Sequence, residues 1–246
     1  MADGVLLFGR YAYPPNELGF NGPERTSTNA FDEELRQRAK GFEGAWPYLE
    51  IIAASAGIAD PLDERVVEAY WVGNGLLDGV GPRLAGDSLE ARFKKGASGC
   101  WDHLAEAVPA GGVPHHSFHV FAVAPWLGRL RDGDVDEPLR VLDRCRIRWG
   151  QVVEVEGEEA LVRSRRLEWD GRSLTLGSSS VERVLMGVDS PGHAGNLVPG
   201  DLCSLHWDWV CERLDERRTT ALRDYTLRQL AVVNGLSRPA SSSVRT

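Results

Sequence analysis

The sequence predicts an α+β chain: a mainly helical half over residues 1–137, a small β-barrel with a C-terminal helix over 138–236, and a disordered tail over 237–246. Three observations predict it. Apolar residues recur at helical spacing up to the stretch RDGDVDE (Arg131–Glu137), the natural linker, and at period two beyond it. Two hairpin signals, Glu156-Gly157-Glu158 and Asp170-Gly171, fall in the second half. The last stretch, Asp215 to Asn234, returns to a helical pattern with Gly235 as its stop.

Taken in order, Phe8 to Pro23 carries Pro14, Pro15, Gly19, Gly22 and Pro23 and reads as a loop, with Arg10, Tyr11, Tyr13, Asn16 and Glu17 making it either a binding loop or a packed crossover. Thr28 and Asn29 are candidate caps for a helix over 30–42, and a second helix over 46–56 ends at Gly57. Asp60 caps a helix with Pro61 in its first turn, running DPLDERVVEAYWVGN with Leu62, Val66, Ala69 and Tyr70 on one face. Short helices follow at Ser88–Phe93 and Cys100–Val108. The run HHSFHVF alternates like a brief strand. Strands are expected at Val141–Val155, Ala160–Arg166, Leu167–Trp169, Ser173–Leu176, Val181–Val188 and Leu202–Cys211.

Composition excludes whole classes of function. The 28 Lys and Arg against 36 Asp and Glu leave a net charge of −8, which gives no footprint for nucleic acid or an anionic membrane. No apolar run approaches the ~20 residues of a membrane span. The opening MADGVLLFGRYAYPP lacks a basic leader, so the cytoplasm is the expected location. Four cysteines without a CxxC pair are expected to be reduced and not to form a closed zinc site. The eight tryptophans fit packed cores better than an aromatic surface. P-loop, GxGxxG, GxSxG and HExxH motifs are all missing.

The remaining candidates are histidines and cysteines. His115, His116 and His119 are the densest cluster. On a strand His115 and His119 share one face and His116 the other; on a helix His115 and His119 are again paired, at i and i+4. Either geometry could offer two imidazoles to a metal, or the three could tie the helical half to the barrel through hydrogen bonds. Cys203 and His206, three apart on a strand, face opposite ways. Cys100, His103 and Cys211 read as packing residues.

The barrel half resembles the HypC/HupF family of hydrogenase maturation chaperones. Two blocks carry the resemblance: Cys145-Arg-Ile-Arg-Trp-Gly150-Gln-Val152-Val153-Glu-Val155, and Gly200-Asp201-Leu-Cys-Ser-Leu-His206 followed by Leu214-Asp215-Glu216. Cys145 is internal here, and Trp149 stands where that family has proline. The resemblance implies a barrel with a C-terminal helix, a cysteine and histidine that help to carry iron (Cys145 and His206), and a protein partner, the hydrogenase large subunit or a maturation factor. The whole chain also resembles an uncharacterised bacterial family associated with uptake-hydrogenase genes, through RYAYPPNELG, GAWPYLE, EAYWVGN, GGVPHHSFHVF and LHWDWVC; a cysteine is common there at the position of Asn21.

The leading expectation is therefore a hydrogenase-associated accessory protein that binds a partner, and iron, through Cys145 and His206. The alternative is an enzyme acting on a small molecule, with His115, His116 or His119 working beside Arg10 or Tyr13 between the two halves, metal-dependent or by general acid–base chemistry.

Overall fold

The computed structural model describes residues 4–14, 28–81, 107–186 and 197–236. The helix expected at Ser88–Phe93, most of that at Cys100–Val108 with Cys100 and His103, the residues Asn16, Glu17 and Asn21, and the tail 237–246 lie outside them. The elements are α1 (Gly4–Ala12), α2 (Thr28–Lys40), α3 (Trp46–Ala56), α4 (Glu64–Trp71), a 3-10 turn (Gly75–Gly79), α5 (His116–Phe118) running into a π-helix (His119–Val123), α6 (Trp126–Arg131), α7 (Asp136–Cys145), β1 (Arg148–Glu156), β2 (Glu159–Trp169), β3 (Leu174–Leu185), β4 (Leu202–His206), β5 (Trp209–Leu214) and α8 (Glu216–Leu236). The fold is the expected α+β one: helices first, then five strands closed as a barrel in the order β1-β2-β3-β5-β4, then a helix.

Several local expectations are corrected. Arg10 and Tyr11 belong to a helix, not to a loop. Val5, Leu7, Phe8 and Tyr11 bury one face of α1, and Gly4 lets its first turn meet α4: a Cβ there would stand 2.0 Å from the Leu62 carbonyl oxygen. The prolines at 14 and 15 end this helix rather than prevent it. The next helix but two is capped by Asp63, whose carboxylate accepts from the Arg65 N–H, not by Asp60. HHSFHVF is helical. His115 caps it by accepting the Ser117 N–H at Nδ1 (3.1 Å), and Phe118, Val120, Phe121, Ala122 and Val123 are all buried, so alternation in the sequence has no two-sided environment behind it.

Val141 to Cys145 is the end of α7 rather than the start of a strand. Asp136 and Glu137 in its first turn and Arg144 in its last complement the helix dipole. The strand expected at Val181 is continuous with the one at Ser173. The segment Leu202–Cys211 is split into β4 and β5 by a tight turn in which Trp207 has φ 49°, the one positive φ outside glycine among the described residues. Gly235 does not stop α8, which runs to Leu236. Helix α3 does end as expected, with Gly57 left-handed at φ 66°.

Barrel closure sets up the site. β1 pairs antiparallel with β4, with Gly150 opposite Cys203, and β3 meets β5 through Leu185 and Trp209. Gly150 is needed for close approach, since a Cβ would stand 2.4 Å from Val162. On β4, Cys203 and Leu205 enter the barrel's own core with Val152, Val162 and Val210. The intervening Ser204 and His206 therefore face out of the barrel, onto α1 and the helical core of Phe8, Tyr11, Tyr70, Trp71 and Phe121.

Candidate metal centre

Three side chains from three elements meet where the helices cover the barrel. His116 opens α5, Cys145 closes α7 and His206 closes β4. Their ligand atoms all lie within 4.8 Å of one another. Cys145 and His206, 61 residues apart in sequence, thus reach a common point, and the histidine that joins them is His116.

The backbone around them explains the arrangement. A helix leaves its last carbonyls without helical donors. In α1 the residues four beyond Arg10 and Tyr11 are Pro14 and Pro15, which have no N–H to give. The Arg10 carbonyl instead accepts from Trp209 Nε1 (3.2 Å), and the Tyr11 carbonyl accepts from His206 Nδ1 (2.5 Å). A carbonyl can only accept, so His206 carries its proton on Nδ1, and in the neutral ring Nε2 is a lone pair. That Nε2 is buried and meets no hydrogen-bond geometry among the described residues, although the nearby Cys145 carbonyl still acts on the ring. It is the orphaned atom that a metal ion would satisfy.

The end of α7 supplies a second free carbonyl. Cys145 O lies 2.8 Å from His116 Nε2, and the hydroxyl of Tyr70 lies 3.0 Å from His116 Nδ1. Two helix C-terminal carbonyls, of Tyr11 and Cys145, are thus taken up by the two imidazoles. The register of Cys145 against His206 is held by Arg148, a fully buried guanidinium on β1. It donates to the carbonyls of Asp143 (3.3 Å) and Arg144 (3.5 Å) at the end of α7, to the Trp207 carbonyl (2.7 Å) beside His206, and to Glu182 (3.2 Å). The Trp207 N–H in turn donates to the Arg144 carbonyl at 2.8 Å.

The electrostatics keep these groups uncharged before a metal binds. Burial pulls His206 down to about 4. Burial, then the neighbouring His206 and His119, hold His116 well below its ordinary value. Burial pushes the Cys145 thiol up to about 12, so the adjacent imidazoles do not supply the imidazolium that would create a thiolate; a bound metal would have to displace the thiol proton itself. One thiolate and two imidazoles suit Fe(II), Zn(II) or Co(II), and three ligands leave a coordination position unfilled by this chain. Cys145 is only half-buried, so the set is not sealed from solvent.

The other candidates lie as follows. His115 is enclosed and caps α5, with burial taking it down to about 3. His119 meets the Tyr48 hydroxyl at Nδ1 (3.1 Å) and is taken down to about 4 by burial. Arg10 is half-buried in α1 beside Glu212 and Arg218, and Tyr13 packs edge-on against Phe42. Of these and the histidine cluster, only His116 stands in the three-residue set. Tyr70, the Tyr11 carbonyl and Arg148 were not singled out from sequence. For Arg148 a signal existed, a charged side chain on the inward phase of a strand; for a backbone carbonyl none does.

Comparison with known proteins adds a family to this geometry. Residues 1–240 match the model of a family of unknown function, DUF6390. The chain belongs to that family. No curated protein and no solved structure matches it. Because the DUF6390 match spans helices and barrel together, all three candidate ligands fall within it.

Proposed function

We propose that this protein binds a transition-metal ion through His116, Cys145 and His206, with iron as the metal, and serves as an accessory protein in hydrogenase maturation in the cytoplasm. The observation that carries the metal reading is the buried, unpartnered Nε2 of His206 within 4.8 Å of ligand atoms of a cysteine and a second histidine. Iron and the hydrogenase setting rest on the resemblance of the Cys145 and His206 blocks to the HypC/HupF chaperones, and the partner they imply is the hydrogenase large subunit or a maturation factor. A bound metal would supply Lewis acidity or redox chemistry at the position left free for an outside ligand. The chain's own work is to hold the His206 imidazole in a fixed tautomer, shield both imidazoles under Trp71 and Trp209, and leave the Cys145 side approachable. No helix among the described residues is long and apolar enough to cross a membrane.

The test is metal analysis after anaerobic expression with iron. The expected result is close to one iron per chain, lost in Cys145→Ser and His206→Ala, together with co-purification of a hydrogenase maturation component from a native host. Absence of metal from the folded wild type, even after reconstitution with Fe(II), would overturn the reading; metal without such a partner would overturn the hydrogenase setting alone.

A further inference from the structure

Strand β3 has 12 residues, yet only its last, Leu185, pairs with β5. On its other side it pairs along its length with β2, so from Leu174 onward β3 carries a sheet edge. The ladder fixes which backbone groups face that edge. Leu185 donates its N–H away from β2, to the Asp208 carbonyl (2.8 Å), whereas Met186 turns back and donates to the Glu158 carbonyl in the β1–β2 turn (2.6 Å). In an antiparallel pair this direction alternates residue by residue. Arg183, Val181 and Ser179 therefore present their N–H and C=O groups to the edge, while Val184, Glu182 and Ser180 give theirs to β2.

A bare edge is a template for another strand, and proteins blunt it. Both flanks of this one are blunted. At its start the Asn234 amide accepts from the Leu174 N–H (2.9 Å) and donates to the Leu174 carbonyl (2.8 Å). Where the register shifts between Leu176 and Ser179, the Arg165 guanidinium donates to the carbonyls of Leu176 (2.7 Å) and Gly177 (2.6 Å). At its end Asp208 and Trp209 cover Leu185. Between these flanks, no described residue bonds the outward groups of Ser179, Val181 and Arg183. Ser178 to Val181 are exposed and uncharged, with none of the lysine or proline that protects such a stretch, and Val181 stands 47% exposed.

We propose that this edge docks a second copy of the chain, the two β3 strands pairing antiparallel about a two-fold axis through Val181. The bare stretch is self-complementary. In this register Val181 faces its own counterpart, and Ser179 faces Arg183 in both directions. Every outward group is then used, with two hydrogen bonds per facing pair. No like charges meet. Arg183 stands opposite a serine, and its guanidinium is held by Glu156 (2.8 Å) and Glu159 (2.7 Å) of its own chain. Pairing over so few residues falls below the ~1,200 Å² of a tight interface, so the dimer is a reversible one. It uses none of the three metal-ligand candidates and stands apart from the metal reading.

The test is sedimentation velocity of the full chain from about 5 to about 500 μM, the range in which a contact of this class associates, with amide hydrogen exchange over the same range. The apparent mass is expected to climb from 27.1 kDa towards twice that value. The amides of Ser179, Val181 and Arg183 should become slower to exchange as concentration rises, while those of Ser180 and Glu182, already bonded to β2, stay unchanged. Val181→Lys sets a charge against its own counterpart across the axis and should hold the mass at 27.1 kDa throughout. A monomer at every concentration, or a dimer that survives Val181→Lys, would overturn the proposal. Protection of the three outward amides at every concentration would overturn it too, since the edge would then be filled from within the chain. If Val181→Lys does not fold, the wild-type exchange decides: concentration-dependent protection that spares Ser179, Val181 and Arg183 places the contact elsewhere and overturns the inference.

Discussion

The Tyr11 carbonyl accepts the Nδ1 proton of His206 at 2.5 Å across 195 residues of sequence, joining the end of the first helix to the end of the fourth strand. The contact exists because Pro14 and Pro15 leave the last carbonyls of α1 without helical donors. It also fixes the imidazole tautomer. The first helix therefore supports the candidate metal site without contributing a ligand.

Gly4→Ala tests that dependence. The new Cβ would stand 2.0 Å from the Leu62 carbonyl oxygen and 2.7 Å from the Glu64 nitrogen, so α1 must move away from α4. Overpacking of this kind costs about 1–3 kcal/mol or more. A lower urea midpoint and weaker Co2+ binding are expected together; unchanged binding would show that α1 does not set the ligand.

Arg148 ties the Cys145 and His206 segments together from inside the barrel. Arg148→Met leaves Glu182 without one of its buried cationic partners, and losing one partner of a buried pair costs about 3–5 kcal/mol. Adding Glu182→Leu should recover much of the stability but not the metal affinity, because the link that Arg148 makes between the Trp207 carbonyl and the Asp143 and Arg144 carbonyls stays lost and only the direct contacts of Arg144 with Trp207 remain. Urea unfolding and Co2+ titration of the double variant separate the two effects, and full recovery of both would contradict the assigned role.

The buried histidines make the metal-free protein acid-sensitive. Folded values of about 3 for His115 and about 4 for His119 and His206 lie below the ordinary value near 6.5, so the unfolded chain binds protons first as pH falls. The stabilisation is complete above about pH 6.5 and is lost progressively below it, down through the folded values. The melting temperature should fall steadily from pH 7 to pH 4, and a flat profile would contradict the burial of these rings.

Thiol chemistry should separate Cys145 from Cys203 and Cys211. It is half-buried, whereas Cys203 and Cys211 are fully enclosed. Of the three described cysteines, a neutral thiol reagent should modify Cys145 first, slowly near neutral pH because burial raises this thiol to about 12, and bound metal should protect it. Peptide mapping that finds Cys203 or Cys211 labelled before Cys145 would contradict the geometry.

Some of this was legible in the sequence and some was not. Both hairpin turns are where Gly157 and Gly171 placed them, with φ 61° and 91°. The proximity of Cys145 and His206 needed only a closed barrel that pairs the strands near them. The short helix α1 was hidden because its proline stop colours the whole segment as loop. The α7 boundary is hidden because Val141 and Ile147 read as strand residues, although the acidic residues Asp136 and Glu137 mark a helix start. His116 could not be separated from His115 and His119 by spacing. The choice was made by the packing of α5, where His115 turns inward as a cap and His119 turns to Tyr48.

The central claim is tested most directly by zinc K-edge X-ray absorption on protein loaded with one equivalent of Zn2+. The account predicts one sulfur at about 2.3 Å and two imidazole nitrogens at about 2.0 Å, with one light atom from outside the chain. Cys145→Ser should remove the sulfur shell, and His116→Ala should remove one imidazole. A zinc shell with no sulfur, or one unchanged by either substitution, would contradict it.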